Sequence, residues 1–391
     1  MSDIAFHKIS CGGQPNWWPE LLRSTQELMA GSASLLLTSP EVSDVTNEVL
    51  EPLIGLSNSP TAHASLFILT SGSTGSPKVV VLDRESLLTA NQIANQRLGF
   101  APRWICALSQ DHIGGFLPVF RSLANGHDPL LALTNDARFD VDSLSSLARN
   151  ENQLVPVALS LVWRQVNRLG RSRELQELAN LAAVLVGGGP ANEADAAAAE
   201  TANLRLITTY GMTETCGGVV WNGRPLSGVN VEIESRTAEP ITQSGEIGVI
   251  CISGPTVATG YLVDSKLQRF SNAKFVTSDL GSLDSNGELR VHGRKDDMAI
   301  INGYNVSLPA VSSALKDLPG VNDAIALARP ESDGDQLVAY IATESENAPD
   351  LQVVRAFLAR ALGRGALPAR VEIVRELPRT RNHKIDLGSL K

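Results

Sequence analysis

Five short apolar runs set the frame of this sequence: 65–70 (SLFILT), 104–109 (WICALS), 155–160 (VPVALS), 182–187 (AAVLVG) and 204–210 (LRLITTY). Each has the length of a strand, and segments with a helical pattern lie between them. That alternation predicts an α/β architecture. A helix is expected from Arg84 to Leu98, with Asp83 as its N-cap. After Gly228 the texture becomes β-rich: 229–234, 245–253 and 287–293 read as strands with glycine-containing turns, which suggests a distorted barrel or small sheet appended to the α/β part. A charged step, GRKDD at 293–297, leads into a tail whose strands are expected at 323–329 and 336–342 and whose helix is expected at 353–362. Residues 1–60 carry less pattern. Trp17 and Trp18 lead into a short helix, and the Ala-rich run 195–202 also reads as helical.

The strongest local signal is the run Thr70-Ser71-Gly72-Ser73-Thr74-Gly75-Ser76-Pro77-Lys78, between the apolar run 65–70 and a second one, Val79–Leu82. Glycines let the backbone turn tightly, so several N–H groups can face one anion. Hydroxyls can add hydrogen bonds to phosphate oxygens, and Lys78 adds a charge. A Ser/Gly hairpin with no ligand is the alternative. The run is not a Walker A loop, because counting from Gly72 the second required glycine falls on Pro77, which argues against a P-loop kinase or ATPase. Gly187-Gly188-Gly189 likewise fails the dinucleotide fingerprint, since Pro190 interrupts it.

Length and charge narrow the function classes. With 391 residues the chain can bury a large core in more than one domain. Its net charge of −9 argues against a non-specific nucleic-acid binder, which needs clustered cations. Cys11, Cys106, Cys216 and Cys251 form no CxxC pair and no Cys/His set with zinc spacing, and read as buried free thiols in a reducing compartment. The first 14 residues lack a signal-peptide layout and no apolar run is long enough to cross a bilayer, so a cytoplasmic protein is expected.

TSGSTGSPK resembles the phosphate-loop signature of the adenylate-forming (AMP-binding) superfamily, which includes acyl-CoA synthetases, peptide-synthetase adenylation domains and luciferases. Four more motifs of that superfamily follow in order. Tyr210-Gly211-Met212-Thr213-Glu214-Thr215 is similar to its YGxTE motif, Ser278-Asp279-Leu280-Gly281 to TGDL, and Gly293-Arg294-Lys295-Asp296-Asp297 to the GRxDD hinge. Leu377 to Asp386, LPRTRNHKID, is similar to LPRTxNGK. The five motifs span residues 70–386. Short actinobacterial o-succinylbenzoate–CoA ligases of menaquinone biosynthesis look similar in three further segments: His112 to Gly126, Val184 to Ala191 and Thr209 to Gly218.

The resemblance implies a large N-terminal AMP-binding domain, residues 1–295, of α/β sheets plus a distorted β-barrel with its N-terminal part shortened. A small mobile α+β C-terminal domain, residues 296–391, would follow. It implies an ATP-dependent acid–thiol ligase that forms an acyl-adenylate and passes the acyl group to coenzyme A, with Mg²⁺ and with 2-succinylbenzoate as the expected acid. Thr70, Ser71, Gly72, Ser73, Thr74, Gly75 and Lys78 would then hold phosphates, Glu214 would bind Mg²⁺, and Lys384 would contact the α-phosphate side and the carboxylate. Asp279 and Arg294 resemble the ribose ligands, with a surface salt bridge as the alternative. Tyr210 offers a flat face for adenine, Gly188 and Gly189 offer close backbone approach, and Gly211 and Thr213 complete the nucleotide side. Gly187, Met212 and His112 would line the acyl side. Arg121 would meet a substrate carboxylate, unless it is a solvated helix arginine, and Asp296 would be the hinge.

Three departures from the superfamily pattern stand out: His383 in place of the usual glycine, Ser278 in place of glycine, and no acid in the run Leu308–Ser312. Two rival readings keep the 70–78 loop. An acyl-AMP ligase would load a carrier-protein thiol; a nucleotide-sensing scaffold would have lost catalytic groups, and the presence of both Glu214 and Lys384 argues against it. The expected partners are a small carboxylic acid and coenzyme A, with no nucleic acid or membrane, and a homodimer is left open.

Overall fold

The computed structural model describes residues 4–12, 16–40, 51–55, 63–71, 77–135, 138–149, 154–171, 174–189, 193–235, 240–241, 243–263, 266–295, 298–301, 304–331, 334–343, 348–362, 366–378, 385–386 and 389–390. The chain divides into two compact units. The first is Met1–Glu232 with Cys251–Val276 and Asp284–Leu289; the second is Ile233–Ile250 with Thr277–Leu283 and Arg290–Lys391.

A seven-stranded sheet in the first unit holds the expected alternation. Its strands run in the order Arg224–Pro225, Gly217–Trp221, Leu206–Met212, Ala183–Gly187, Val157–Val162, Arg103–Cys106 and Leu130–Leu131. The five strands from Leu206–Met212 to Leu130–Leu131 pair in parallel. Trp104, Ile105, Ala158, Leu159, Val184 and Val186 are buried, as strands covered by helices require. Helices Ile113–Ala124, Val141–Arg149, Trp163–Arg171 and Glu193–Thr201 lie between these strands in sequence, so the loops at the carboxyl ends gather on one edge.

A six-stranded sheet runs Ala5–Ser10, Ala33–Thr38, Ser65–Ser71, Pro77–Asp83, Gly260–Val263 and Lys266–Arg269. Its first three strands are parallel and the rest antiparallel. Residues 1–60, where only a helix was expected, therefore supply two strands as well. Ala33–Thr38 is buried at every position, so it has no alternation to reveal it. Helix Trp17–Ala30 stops at Gly31, whose φ of 79° lets its N–H reach the carbonyls of Glu27 and Leu28. Helix Arg84–Leu98 begins as expected: Asp83 Oδ1 accepts from the Ser86 N–H at 2.7 Å.

The β-rich stretch after Gly228 forms a four-stranded sheet, Asn230–Glu234, Gly248–Ser253, Lys274–Leu283 and Leu289–Arg294. In the second unit, strands Asp323–Glu331, Gly334–Ala342 and Arg370–Val374 make a sheet, and helices Leu308–Lys316 and Leu351–Leu362 belong to the same core through Val311, Leu315, Val354 and Leu358.

Two leucines near the start of Val157–Val162 test where the first unit keeps its stability. Leu159 is fully buried and Leu154 fully exposed. Leu159→Ala should cost about 2–5 kcal/mol, while Leu154→Ala should stay within about 0.5 kcal/mol. Urea unfolding of both variants checks this; equal losses would contradict the placement of that strand.

Candidate active site

The phosphate-loop run sits on a hairpin. Ser65–Ser71 and Pro77–Asp83 pair antiparallel, with Thr70 opposite Lys78 and Ser71 opposite Pro77. Thr70 Oγ1 donates to the Lys78 carbonyl at 3.3 Å. Both ends of the run are thus pinned by strand pairing. Gly72, Ser73, Thr74 and Gly75 lie outside the described residues.

Glu214 sits in a single tight turn, Thr213–Thr215, directly after strand Leu206–Met212. The turn is locked by its own hydroxyl: the Met212 N–H donates to Thr215 Oγ1 at 2.9 Å, and that hydroxyl lies 2.9 Å from the Gly217 carbonyl. Strand Gly217–Trp221 then returns antiparallel so closely that a Cβ on Gly211 would stand 2.0 Å from the Gly217 oxygen. Only glycine fits there. A second tether comes from the Ala258 N–H, which donates to the Glu214 carbonyl at 2.8 Å.

The side chain that joins these two features is one that the motif reading did not single out. The Tyr261 hydroxyl donates to Glu214 Oε1 at 2.6 Å, and Lys78 Nζ lies 5.2 Å from the centroid of the Tyr261 ring. The ring is buttressed by Phe270, with centroids 5.0 Å apart and planes at 89°. Burial, and then the hydrogen bond and charge of Glu214, push the phenol far above its ordinary range, so it keeps its proton and acts as a donor. The structure thereby brings Thr70, Lys78 and Glu214 to one place.

Gly187, Gly188 and Gly189 stand at the carboxyl end of strand Ala183–Gly187, beside the strand that carries Tyr210 and Met212. A Cβ on Gly187 would meet Thr209 Oγ1 at 2.5 Å, and Gly188 has a φ of +76°. His112 precedes helix Ile113–Ala124 with its side chain 74% exposed and Nε2 3.7 Å from Asp111 Oδ2, open to a ligand. In the second unit Arg294 Nε faces Asp279 Oδ1 at 4.0 Å, with Arg294 half exposed. A pair that open contributes about 0–1 kcal/mol to folding. Lys384 and Asp296 lie outside the described residues.

Arg121 requires a correction. The sequence offered it as a contact for a substrate carboxylate or as a solvated helix arginine, and burial excludes the second. It is 3% exposed, its guanidinium lies 5.2 Å from the Trp104 ring centroid, and its Nε has no hydrogen-bond partner. Desolvation pulls its pKa down to about 10. It follows His112 by nine residues along the helix, roughly 13 Å of rise. A carboxylate would have to enter the protein interior to reach it.

All four cysteines are free and buried. Burial pushes the Cys11 and Cys106 thiols far up and Cys216 up to about 12. Among the described residues no group of three or more His, Cys, Asp and Glu side chains gathers as a metal cage. A single carboxylate such as Glu214 suits Mg²⁺, a hard cation that takes one or two carboxylates and completes its shell with phosphate oxygens and water.

A model of the AMP-binding enzyme family matches residues 20–262, and a model of the AMP-binding enzyme C-terminal domain matches residues 310–384. A probable 2-succinylbenzoate–CoA ligase of Mycobacterium tuberculosis is 31% identical over 375 residues, which cover 95% of this chain and 94% of that relative. The 2-succinylbenzoate–CoA ligase of Bacillus licheniformis is 28% identical over 362 residues, 88% of this chain and 73% of that relative. The o-succinylbenzoate coenzyme A synthetase of Bacillus subtilis, solved in complex with ATP and magnesium ion, shares the fold with a TM-score of 0.76 at 23% identity, over 97% of this chain and 88% of that one.

The burial of Arg121 predicts how its replacement behaves. Arg121→Leu removes a desolvated charge without an anion partner, so its melting temperature should equal or exceed that of the parent. The KM for a dicarboxylic acid substrate should stay within about twofold, below the roughly 1.4 kcal/mol that a tenfold change represents. A tenfold rise with an unchanged melting temperature would restore Arg121 to the acid-binding set.

Proposed function

The chain belongs to the AMP-binding enzyme family, and from that premise we propose that it joins a carboxylic acid to coenzyme A through an acyl-adenylate, with 2-succinylbenzoate as the acid. The observation that carries this reading is the grouping of Lys78, Tyr261 and Glu214 at the foot of the 70–78 run. It sets a cation beside a carboxylate suited to Mg²⁺, at the point where the sequence supplies a glycine- and hydroxyl-rich turn. The identity to the Mycobacterium tuberculosis relative along nearly the whole chain supports the choice of acid.

The first half-reaction brings a carboxylate against the α-phosphate of ATP. Two unit charges at about 4 Å repel by roughly 4 kcal/mol at an effective dielectric near 20. Fixed cations and N–H donors offset that cost and stabilise the charge that gathers in the transition state. In this reading the run Thr70–Lys78 holds the β- and γ-phosphates, with Lys78 as the fixed charge. Glu214 holds Mg²⁺, which supplies charge neutralisation at the phosphates. Asp279 and Arg294 hold the ribose, because a carboxylate accepts from two neighbouring hydroxyls. Tyr210, Gly188 and Gly189 frame the adenine, and Gly187, His112 and Met212 border the acyl group. Lys384 bridges the α-phosphate and the attacking carboxylate. Pyrophosphate leaves as the carboxylate oxygen bonds to phosphorus.

In the second half-reaction the thiolate of coenzyme A attacks the acyl carbon and AMP departs. Lys384 has to withdraw to admit the thiol. A small domain from residue 296 onward that turns at Asp296 provides the motion, a hinge between two states. The substrates are small molecules. Among the described residues no helix is long and apolar enough to cross a membrane, and a cytoplasmic location is part of this proposal.

Lys384→Ala separates the two steps. Pyrophosphate release from ATP and 2-succinylbenzoate should fall by at least about 100-fold, as for loss of a group that acts only in the transition state of the first step. Consumption of coenzyme A from supplied acyl-adenylate should remain within about threefold of the parent. Equal loss of both steps would remove Lys384 from this role. A parent enzyme that releases pyrophosphate with 2-succinylbenzoate but does not consume free coenzyme A would point to a carrier-protein thiol instead.

A further inference from the structure

Glu214 has two carboxylate oxygens, and a free carboxylate rotates about its last torsion with little resistance. A metal ligand that must meet Mg²⁺ in one octahedral direction gains from having that torsion fixed. The structure contains a device for this. The Tyr261 hydroxyl donates to Glu214 Oε1 at 2.6 Å, leaving the second oxygen uncommitted by that bond. The Glu214 backbone is held to the same segment, through the Ala258 N–H at 2.8 Å, three residues before Tyr261.

The position of Tyr261 follows from strand register. Gly260–Val263 lies antiparallel to Pro77–Asp83, with Tyr261 opposite Val80. Lys78 and Val80 are two apart on one strand and share a face, so Lys78 is a diagonal neighbour of Tyr261. Its ammonium stands 5.2 Å from the ring centroid, within range of a cation–π contact. Phe270 and Phe275 hold the ring edge-on, at 5.0 Å and 6.4 Å between centroids. One side chain therefore touches both the phosphate-side lysine and the metal-side carboxylate.

We infer that Tyr261 is a positioning residue for the metal carboxylate: its hydroxyl orients Glu214 toward Mg²⁺·ATP, and its ring sets the height of Lys78 beside it. The inference rests on the reading of Glu214 as the Mg²⁺ ligand. The two functions of the side chain separate by substitution. Tyr261→Phe removes the hydroxyl and keeps the ring; Tyr261→Leu removes both.

The test is metal binding by the whole chain, read without turnover. Mn²⁺ replaces Mg²⁺, and its affinity in the presence of ATP and absence of acid is measured by electron paramagnetic resonance, with ATP affinity without metal and melting temperature measured alongside. Tyr261→Phe should weaken Mn²⁺ binding by about tenfold, as expected for loss of one hydrogen bond to a charged group, and leave metal-free ATP affinity unchanged. Tyr261→Leu should weaken both. Glu214→Gln is the reference. If Glu214→Gln loses Mn²⁺ affinity while Tyr261→Phe does not, Tyr261 only packs, and the metal reading of Glu214 stands. If Glu214→Gln leaves Mn²⁺ affinity intact, the metal reading of Glu214 fails and this inference falls with it. A drop in melting temperature that accounts for the Mn²⁺ loss in Tyr261→Phe would likewise overturn the positioning role.

Discussion

The antiparallel pairing of Gly260–Val263 with Pro77–Asp83 is the contact that sets Tyr261 between Lys78 and Glu214. Nearly 180 residues separate the two strands in sequence, yet their hydrogen bonds fix a register. That register decides that Tyr261, and not Gly260 or Leu262, shares a face with Lys78. A slip of one residue would turn the tyrosine to the opposite face of the sheet and bring a glycine or a leucine to the lysine. Two anchors beside the pairing resist such a slip. The Thr259 N–H donates to the Val81 carbonyl at 2.9 Å, and the Thr259 hydroxyl lies 3.3 Å from Asp83 Oδ2, the same carboxylate whose other oxygen caps helix Arg84–Leu98. One aspartate thus ties together a helix start, a strand end and a distant segment.

Legibility in the sequence followed the kind of information each feature carries. Local chemistry was readable. Asp83 before a helix-length segment, the hairpin around 70–78, and the apolar runs that became Val157–Val162, Ala183–Gly187 and Leu206–Met212 all declare themselves within a few residues. Ala33–Thr38 did not, because a strand buried on both faces shows no period of two and follows a helix with only Gly31 between them as a stop. Tyr261 was missed for a different reason. Its importance lies in partners 47 and 183 positions away, Glu214 and Lys78, and nothing near it in sequence announces either. The motif series named Lys78 and Glu214 and passed over the aromatic side chain that touches both.

At Arg121 the sequence left the depth of the side chain open. An arginine on the helix that follows His112 reads as a natural anion receptor, because sequence spacing gives no depth. In the structure Leu117, one turn before it, packs so near Gly217 that a Cβ there would stand 2.5 Å from Leu117 Cδ1, and Arg121 itself is buried against the indole of Trp104. The stem of an arginine is as apolar as that of methionine, and a flat guanidinium stacks on an indole with little loss.

An acyl-adenylate is a mixed anhydride and will acylate any thiolate that reaches it. An enzyme that makes one for an external thiol faces a problem of self-modification, and the four cysteines bear on it. None is exposed, and in Cys11, Cys106 and Cys216 burial holds the proton on sulfur at physiological pH. Cys216 is the sharpest case, two residues from Glu214 and yet fully desolvated. The chain therefore offers its own reactive intermediate no competing nucleophile of the same chemical type. Preference for an incoming thiol then comes partly from silence: the acceptor is selected not only by what the protein binds but by which of its own sulfurs it has put out of reach.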